Sequence, residues 1–228
     1  MVLKLFFCAI SPPCRAVKLA LNALHLNVQY EDVDILTRKY LQTQLPKINP
    51  QHTVPTLVDG DAIIWDSHAI NIYLVQKYAP DYSLYPADPY QRAIINQRLH
   101  FDSGLMYPCI YNSVVSILFK QMRNLNQHQL IAVKQIYAFA EKFLTQNEWI
   151  AGDKLTVADF SCMSSLSTLD YIFPVSSKTT PKLMRYLERS QDLPYYELAN
   201  QEGLNQLGKL MQEKVLKASK NITMNIGN

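Results

Sequence analysis

The chain has 228 residues, 48% of them hydrophobic and 11% aromatic, which is enough for a large core and too apolar for disorder over most of its length. Its 22 basic and 19 acidic residues leave a net charge of +3, too mild for nucleic acid or an acidic membrane surface to be the main partner. Six glycines accompany twelve prolines, and no glycine-rich loop of the kind a dinucleotide fingerprint needs is present.

In chain order, residues 3–8 form a short apolar run ended by Ser11-Pro12-Pro13, as a buried strand would be. Val17, Ala20, Leu21 and Leu24 then fall at helical spacing. Residues 28–35 alternate with period two, predicting a half-buried strand, and a weak helix is expected over 39–45. Residues 54–58 and 62–65, separated by Asp59-Gly60-Asp61, read as a β-hairpin. Asp66-Ser67 offers an N-cap for a helix reaching Tyr78. The order to this point is βαβαββα. Residues 80–89, with Pro80, Pro86 and Pro89 and no periodicity, read as a linker.

Beyond the linker only helical patterns persist, over 90–122, 127–145, 156–173, 181–189 and 194–211. Pro108 lies inside the first of these and should kink it. Thr156-Val157-Ala158-Asp159 has the spacing of a capping box. The expected domains are therefore an α/β unit over 1–79, a linker over 80–89, an all-helical unit over 90–213 and a polar, fraying tail over 214–228. No apolar run reaches eighteen residues, so no membrane span is expected, and the short apolar N-terminus lacks the basic flank of a signal peptide. Cys8, Cys14, Cys109 and Cys162 form no CxxC pair and no metal-ligand spacing, so free thiols in a reducing, cytoplasmic setting are expected, with neither metal nor disulfide framework.

Several short segments carry chemistry. Ser11 stands where a strand turns into a helix, so it serves either as a plain N-cap or as a hydroxyl donor to an anion at the positive helix end. Asp66-Ser67-His68 opens another helix with the same two readings: a cap, or a site for a carboxylate and an ammonium group. The Val54-Pro55 bond is either trans, merely starting a strand, or cis, turning the Val54 backbone outward toward an extended ligand.

Taken in order, Ser11 to Val17, Asn49 to Pro55, Asp66 to Ile70, Leu99 to Gly104 and Leu193 to Glu197 resemble the cytosolic glutathione transferases, most of all the insect epsilon class, over about residues 2–210. That resemblance implies a thioredoxin-like N-terminal domain, an all-α C-terminal domain and a homodimer, with apolar residues near 70–78 and 99–106 as its expected faces. It implies conjugation of reduced glutathione, a co-substrate rather than a resident cofactor, to small hydrophobic electrophiles in detoxification, with hydroperoxide reduction or dehydrochlorination as side activities. Ser11 matches the catalytic serine that hydrogen-bonds the glutathione sulfur. A free thiol titrates near ~8.5, and each unit of depression is about 1.4 kcal/mol of thiolate stabilisation.

By the same resemblance, Val54 and cis-Pro55 pair with the cysteinyl backbone, and Asp66 and Ser67 hold the γ-glutamyl end. His52 and Thr53 meet the glycyl end, and His68 lies beside it. Tyr107, Tyr111, Val115 and Phe119 recur along the fourth helix as walls of a hydrophobic pocket that Phe173 closes. Cys14 stands where a thioredoxin-type protein keeps its second redox cysteine, but with Ser11 in place of the first no dithiol cycling is expected. Asp102 is expected to reach toward the glutathione of a partner. The chain departs from the epsilon pattern in three places. Tyr40 replaces a histidine, Cys109 and Tyr111 replace arginines, and Ile110 replaces the acidic residue of a steroid-pathway branch. The alternatives are a non-catalytic carrier of hydrophobic ligands and a steroid-pathway transferase.

Overall fold

Strand signals of the first sixty-five residues pair into one sheet. The computed structural model describes residues 3–37, 39–81, 83–118 and 125–226, with Tyr40 and residues 215–226 described by backbone alone. β1 (Leu3–Phe7), β2 (Val28–Asp32), β3 (Thr56–Asp59) and β4 (Ala62–Trp65) lie in the order β2-β1-β3-β4. β1 runs parallel to β2, with Leu3 opposite Val28, and antiparallel to β3, with Leu5 opposite Leu57. The parallel step needs a crossover, which α1 (Pro12–Ala23) supplies. Its Val17, Ala20 and Leu21 are fully buried, as their spacing predicts. β2 is an edge strand and mostly exposed, not half-buried, because only β1 flanks it.

The hairpin turns on two residues, Gly60-Asp61, with Asp59 opposite Ala62 and Gly60 at φ 62°, where a side chain is strained. Asp59 is thus the last residue of β3 instead of a turn residue. Its buried carboxylate accepts from Tyr73, Lys77 and Tyr78 of α3 (Ser67–Tyr78) at 2.7, 2.6 and 2.6 Å, tying the hairpin to that helix. Where one weak helix is expected over 39–45, a 3-10 turn (Lys39–Gln42) precedes a single turn of helix that begins only at Leu45, α2 (Leu45–Ile48). Leu84 and Tyr85 pin the linker to the helical half: the Leu84 carbonyl accepts from Val157 N–H at 3.0 Å and Tyr85 is buried.

The rest is helical: α4 (Pro89–Phe101), α5 (Tyr107–Leu118), α6 (Gln127–Phe143), α7 (Val157–Ile172), α8 (Pro181–Gln191) and α9 (Glu202–Ile226). The expected helix over 90–122 divides at a π-helical segment, Asp102–Met106, where Tyr107 N–H reaches back five residues to the Asp102 carbonyl. Pro108 explains the position. It lacks the N–H that would bond to Gly104, four residues earlier, and its ring crowds that carbonyl. The register opens by one residue at that point. A second π segment, Glu197–Gln201, leads into α9, whose helical backbone continues past residue 214, where a tail is expected. Ile70, Leu74, Val75, Leu99 and Met106, within the stretches expected to face a partner chain, are buried inside this chain. No helix among the described residues is long and apolar enough to cross a membrane.

α1 joins the two halves. Leu5, Val17 and Leu21 pack beneath the sheet with Ile70 and Leu74, while Leu19 and Ala20 join the helical core around α7. Arg15 is fully buried at this seam. Its guanidinium donates to Asn200 Oδ1 at 2.8 Å, to the Asn200 and Ser164 carbonyls at 3.4 Å, and to the Thr168 hydroxyl. Ser164 Oγ donates to the Pro12 carbonyl at 2.9 Å.

α7 starts at the anticipated capping box. Asp159 is fully buried and accepts from Thr156 N–H and Ile150 N–H, both at 2.8 Å, and from the Thr156 hydroxyl at 3.0 Å. Burial nonetheless pushes its carboxyl up to about 6 against the pull of these donors. Because the folded value exceeds the unfolded one, near ~4, the stability linked to this group is present at lower pH and is lost as pH rises toward 6. Asp159→Asn turns an amide N–H₂ toward donors and should remove about 2 kcal/mol at neutral pH, lowering Tm by roughly 4–8 °C. It should also flatten the stability slope between about pH 4 and 6. Calorimetry at several pH values checks both.

Candidate active site

Two depressions adjoin each other where the sheet meets α4 and α5. The first is polar, lined by Gln51, Thr53, Val54 and Pro55 from the loop before β3, by Asp66, Ser67 and His68 from the start of α3, and by Asp102, Ser103 and Tyr107. Asn49 shapes the loop. Fully buried, it donates from Nδ2 to Thr53 O, Thr53 Oγ1 and Thr56 Oγ1 at 3.1, 3.1 and 2.9 Å, and its Oδ1 accepts from Gln51 N–H at 2.9 Å. The Val54-Pro55 bond is cis, the second of the two conformations open to it.

Asp66 caps α3 from a left-handed backbone, φ 73°, accepting from His68 and Ala69 N–H through Oδ1 at 2.9 and 3.2 Å. Ser67, the first helical residue, is buried beside it at the positive end of the helix. His68 Nε2 lies 2.9 Å from Asp102 Oδ2, and Asp102 Oδ1 accepts from Ser165 Oγ at 2.6 Å. Asp102 therefore bridges α3 to α7 within this chain, where a reach toward a partner is expected from sequence.

The second depression, of about 320 Å³, is apolar and within the range of small-ligand pockets, ~300–1,000 Å³. Ile10, Ile35, Ile110, Val114, Val115 and Leu207 are among its walls, together with Ser11, Tyr107 and Tyr111, and among the described residues its lining carries no charged side chain. Among the described residues Tyr107 alone lines both depressions. Burial is the main cause holding its phenol above the usual range, so at neutral pH the hydroxyl keeps its proton and can donate.

Ser11 occupies the N-cap position of α1, yet its hydroxyl makes no capping bond. Pro12 and Pro13 fill the first two helical positions and carry no N–H, so Cys14 holds the only other amide proton before Arg15, whose N–H bonds the Ser11 carbonyl at 3.1 Å. An anion at this helix end depends more on the hydroxyl than at an ordinary N-terminus.

The structure thus gathers Thr53, Val54, Pro55, Asp66, Ser67 and His68 in the polar cleft, and Ser11, Tyr107, Tyr111 and Val115 around the apolar cavity. His52 is exposed at φ 55° and lies outside both linings. Phe173 caps the far end of α7, its carbonyl accepting from Tyr137 Oη at 2.7 Å, and packs on the helical core; it is not among the described lining residues of the cavity. Phe119 and the Tyr40 side chain lie outside the described residues. Sequence reading missed Ile10, Ile35, Leu36, Val114 and Leu207 as walls and Asn49 as organiser. Only helical spacing from Tyr107 and Ile110 could have pointed to Val114. No group of three His, Cys, Asp or Glu among the described residues could hold a metal ion.

Comparison with known proteins fits this geometry. Residues 5–81 match the family model for the glutathione S-transferase N-terminal domain, and residues 110–196 match that for the C-terminal domain. Glutathione S-transferase 1 of Manduca sexta is 45% identical over 94% of this chain and 100% of its own. Among solved structures, an epsilon-class glutathione S-transferase from the housefly, Musca domestica, superposes with a TM-score of 0.89 at 40% identity, over 93% of this chain and 98% of that one. A glutathione transferase homologue from Drosophila mojavensis, solved with bound glutathione, gives 0.88 at 41% identity, over 93% and 97%.

The thiols of the chain itself do not form part of either site's chemistry. Cys14 is fully buried, its sulfur accepting from Cys8 N–H at 3.4 Å, and burial pushes its pKa up to about 12 despite that bond and one from the Ser11 hydroxyl. Cys109 and Cys162 are buried and shifted upward by the same cause. Cys8 is half-buried. Iodoacetamide applied to the native protein should therefore label Cys8 slowly and the other three only after unfolding, read by peptide mass spectrometry. Native labelling of Cys14 would contradict its burial.

Proposed function

The chain belongs to the glutathione S-transferase family, and from that membership we propose that it joins reduced glutathione to small, uncharged, hydrophobic electrophiles, with Ser11 donating its hydroxyl to the sulfur. The supporting observation is that a polar cleft and an apolar cavity meet at Tyr107, with Ser11, whose hydroxyl caps no helix amide, among the walls of the second. Glutathione lies in the polar cleft. Its γ-glutamyl carboxylate meets Ser67 at the start of α3, its ammonium meets the Asp66 carboxylate, and its cysteinyl backbone pairs with Val54 beside cis-Pro55. The sulfur then projects over the start of α1 toward the apolar cavity.

There the thiol proton leaves to solvent, and the thiolate is held by the Ser11 hydroxyl and the positive end of α1. Lowering a thiol pKa by one to two units takes about 1.4–2.7 kcal/mol, within reach of a hydrogen bond to a charged group plus a helix terminus. A sulfur lone pair forms the new S–C bond, and the displaced electron pair leaves with the departing group or passes to an adjoining carbonyl oxygen. Catalysis is thiol activation plus confinement of the two reactants side by side. The described walls of the cavity are aliphatic and phenolic and disfavour charged partners, because a carboxylate against them would lose hydration without gaining a cation among the described residues. Detoxification is the role this chemistry suits. The family reading includes a cytosolic homodimer, and exposed Ile63, Tyr90 and Leu105 are available to its interface.

Ser11→Ala should lower kcat/KM at neutral pH by roughly 10- to 100-fold, as one or two pKa units are lost. The deficit should shrink as pH rises toward the free-thiol value of ~8.5, and Tm should change little, because the hydroxyl makes no cap bond and its partner, the Cys14 sulfur, is a weak acceptor. A variant as active as the parent would remove Ser11 from its role. Of two electrophiles matched in reactivity, the neutral one should exceed its carboxylate analogue by at least about tenfold in kcat/KM, equivalent to ~1.4 kcal/mol. Calorimetric titration with glutathione separates an enzyme from a mere carrier, for which glutathione binding would be absent beside tight uptake of a hydrophobic dye.

A further inference from the structure

Ser11 sits at the end of a tight turn whose shape is set partly from outside the N-terminal half. Ser11 N–H donates to the Cys8 carbonyl at 3.0 Å, making Ala9 and Ile10 the central residues of the turn. Helix α9 bears on both. Gly203, in its first turn, has no side chain, and a Cβ there would stand 2.1 Å from the Ala9 carbonyl oxygen and 2.8 Å from Arg15 Cδ. One helical turn later, buried Leu207 packs in the same cluster as Ile10 and lines the apolar cavity beside Ser11. The π segment before α9 is anchored to α1, the helix that Ser11 begins. Lys18 Nζ donates to the Leu198 carbonyl at 2.7 Å, and Arg15 donates to Asn200 Oδ1 at 2.8 Å.

We propose that the start of α9 is a positioning element for the thiolate-stabilising hydroxyl, with Gly203 as the positioning residue that lets the helix seat directly on the Ala9 carbonyl. The proposal rests on the reading of Ser11 given above. Restoring an ordinary contact at Gly203 after a methyl is added requires a movement of more than 1 Å, because 3.4 Å is the lower edge of ordinary contact and 2.1 Å is what the methyl would meet. The obstacle is backbone, so no side chain can swing aside. The Ala9 carbonyl and Ser11 are two residues apart in one turn, so a shift at the first is carried to the second. A hydroxyl-to-sulfur hydrogen bond does not survive displacement on that scale, and ~1 Å misplacements at reacting groups cost up to about 100-fold in rate.

Gly208 supplies a matched control on the same helix. The three atoms nearest a Cβ there all belong to the Tyr171 ring and hydroxyl, the far end of a half-exposed side chain that can move. The experiment follows the ultraviolet absorbance of the thiolate of enzyme-bound glutathione against pH, together with kcat and KM for glutathione. Gly203→Ala should raise the thiol midpoint by about one unit and lower kcat about tenfold, while KM stays within about twofold. Gly208→Ala should leave the midpoint where it is.

A folded Gly203→Ala protein with the parental midpoint overturns the proposal. Should that variant fail to fold, Lys18→Met, which frees the Leu198 carbonyl from a surface position, becomes the deciding variant: a smaller upward shift supports the proposal and an unmoved midpoint overturns it. A parent protein that shows no depressed midpoint, or one that Ser11→Ala does not move, defeats the reading of Ser11 itself and the inference with it. Failure confined to the Gly203 and Lys18 variants defeats the inference alone.

Discussion

Arg15 is a cation buried without an anion, and the arrangement of the two halves depends on it. A guanidinium taken wholly out of water is unfavourable unless its donors are met; here the two terminal nitrogens are met by an asparagine side chain, two carbonyls and a threonine hydroxyl, while buried Nε has no partner among the described residues. All of these come from α7 or the π segment before α9, so the charge is satisfied only when α1 is docked on the helical half. Burial draws its pKa down to about 10, which still leaves it fully protonated at neutral pH. The consequence is specific to the site. Ser11 and Arg15 lie one helical turn apart, so the residue that fixes α1 on the helical half also fixes the base of the serine turn.

The chemistry follows from where that seam runs. One side contributes α3 and the loop shaped by Asn49; the other contributes Asp102, Ser103 and the face of α5. Neither side alone makes a pocket. Asp102 joins them from the π segment, with one oxygen toward His68 and the other toward Ser165. The same segment sets the angle at which Tyr107 enters, and Tyr107 borders both cavities. Pro108 is thus more than a helix irregularity, because the register change it forces selects which phenol stands at the junction.

The apolar cavity differs in kind from the cleft beside it. Its lining combines aliphatic groups with two phenols and one serine hydroxyl, and among the described residues no ionic side chain marks a preferred orientation for a ligand. Shape and desolvation then carry selection among electrophiles, which favours breadth over tight discrimination: a methylene more or less in such a pocket changes binding by only about 1–3 kcal/mol.

Much of this was legible in the order of residues. Periods of two and then 3.6, broken by Pro12-Pro13, Gly60 and the prolines of 80–89, fix the strands, the first helices and the linker through local sterics and burial alone. Caps at Asp66 and Thr156 are local too, because side chain and backbone donor are within three residues. Ser11, Asp66 and Ser67 announce themselves as helix starts, which is why they could be singled out. What the order of residues could not supply was anything joining distant segments: Arg15 with Asn200, His68 with Asp102, or Gly203 against Ala9. Leu207 and Ile35 are ordinary apolar residues until the chain brings them to one cavity, and Phe173 has apolar chemistry but is not among the described walls. Local pattern specifies which faces are apolar and where elements begin; which two faces meet depends on packing between residues far apart in the chain, and only the folded molecule decides that.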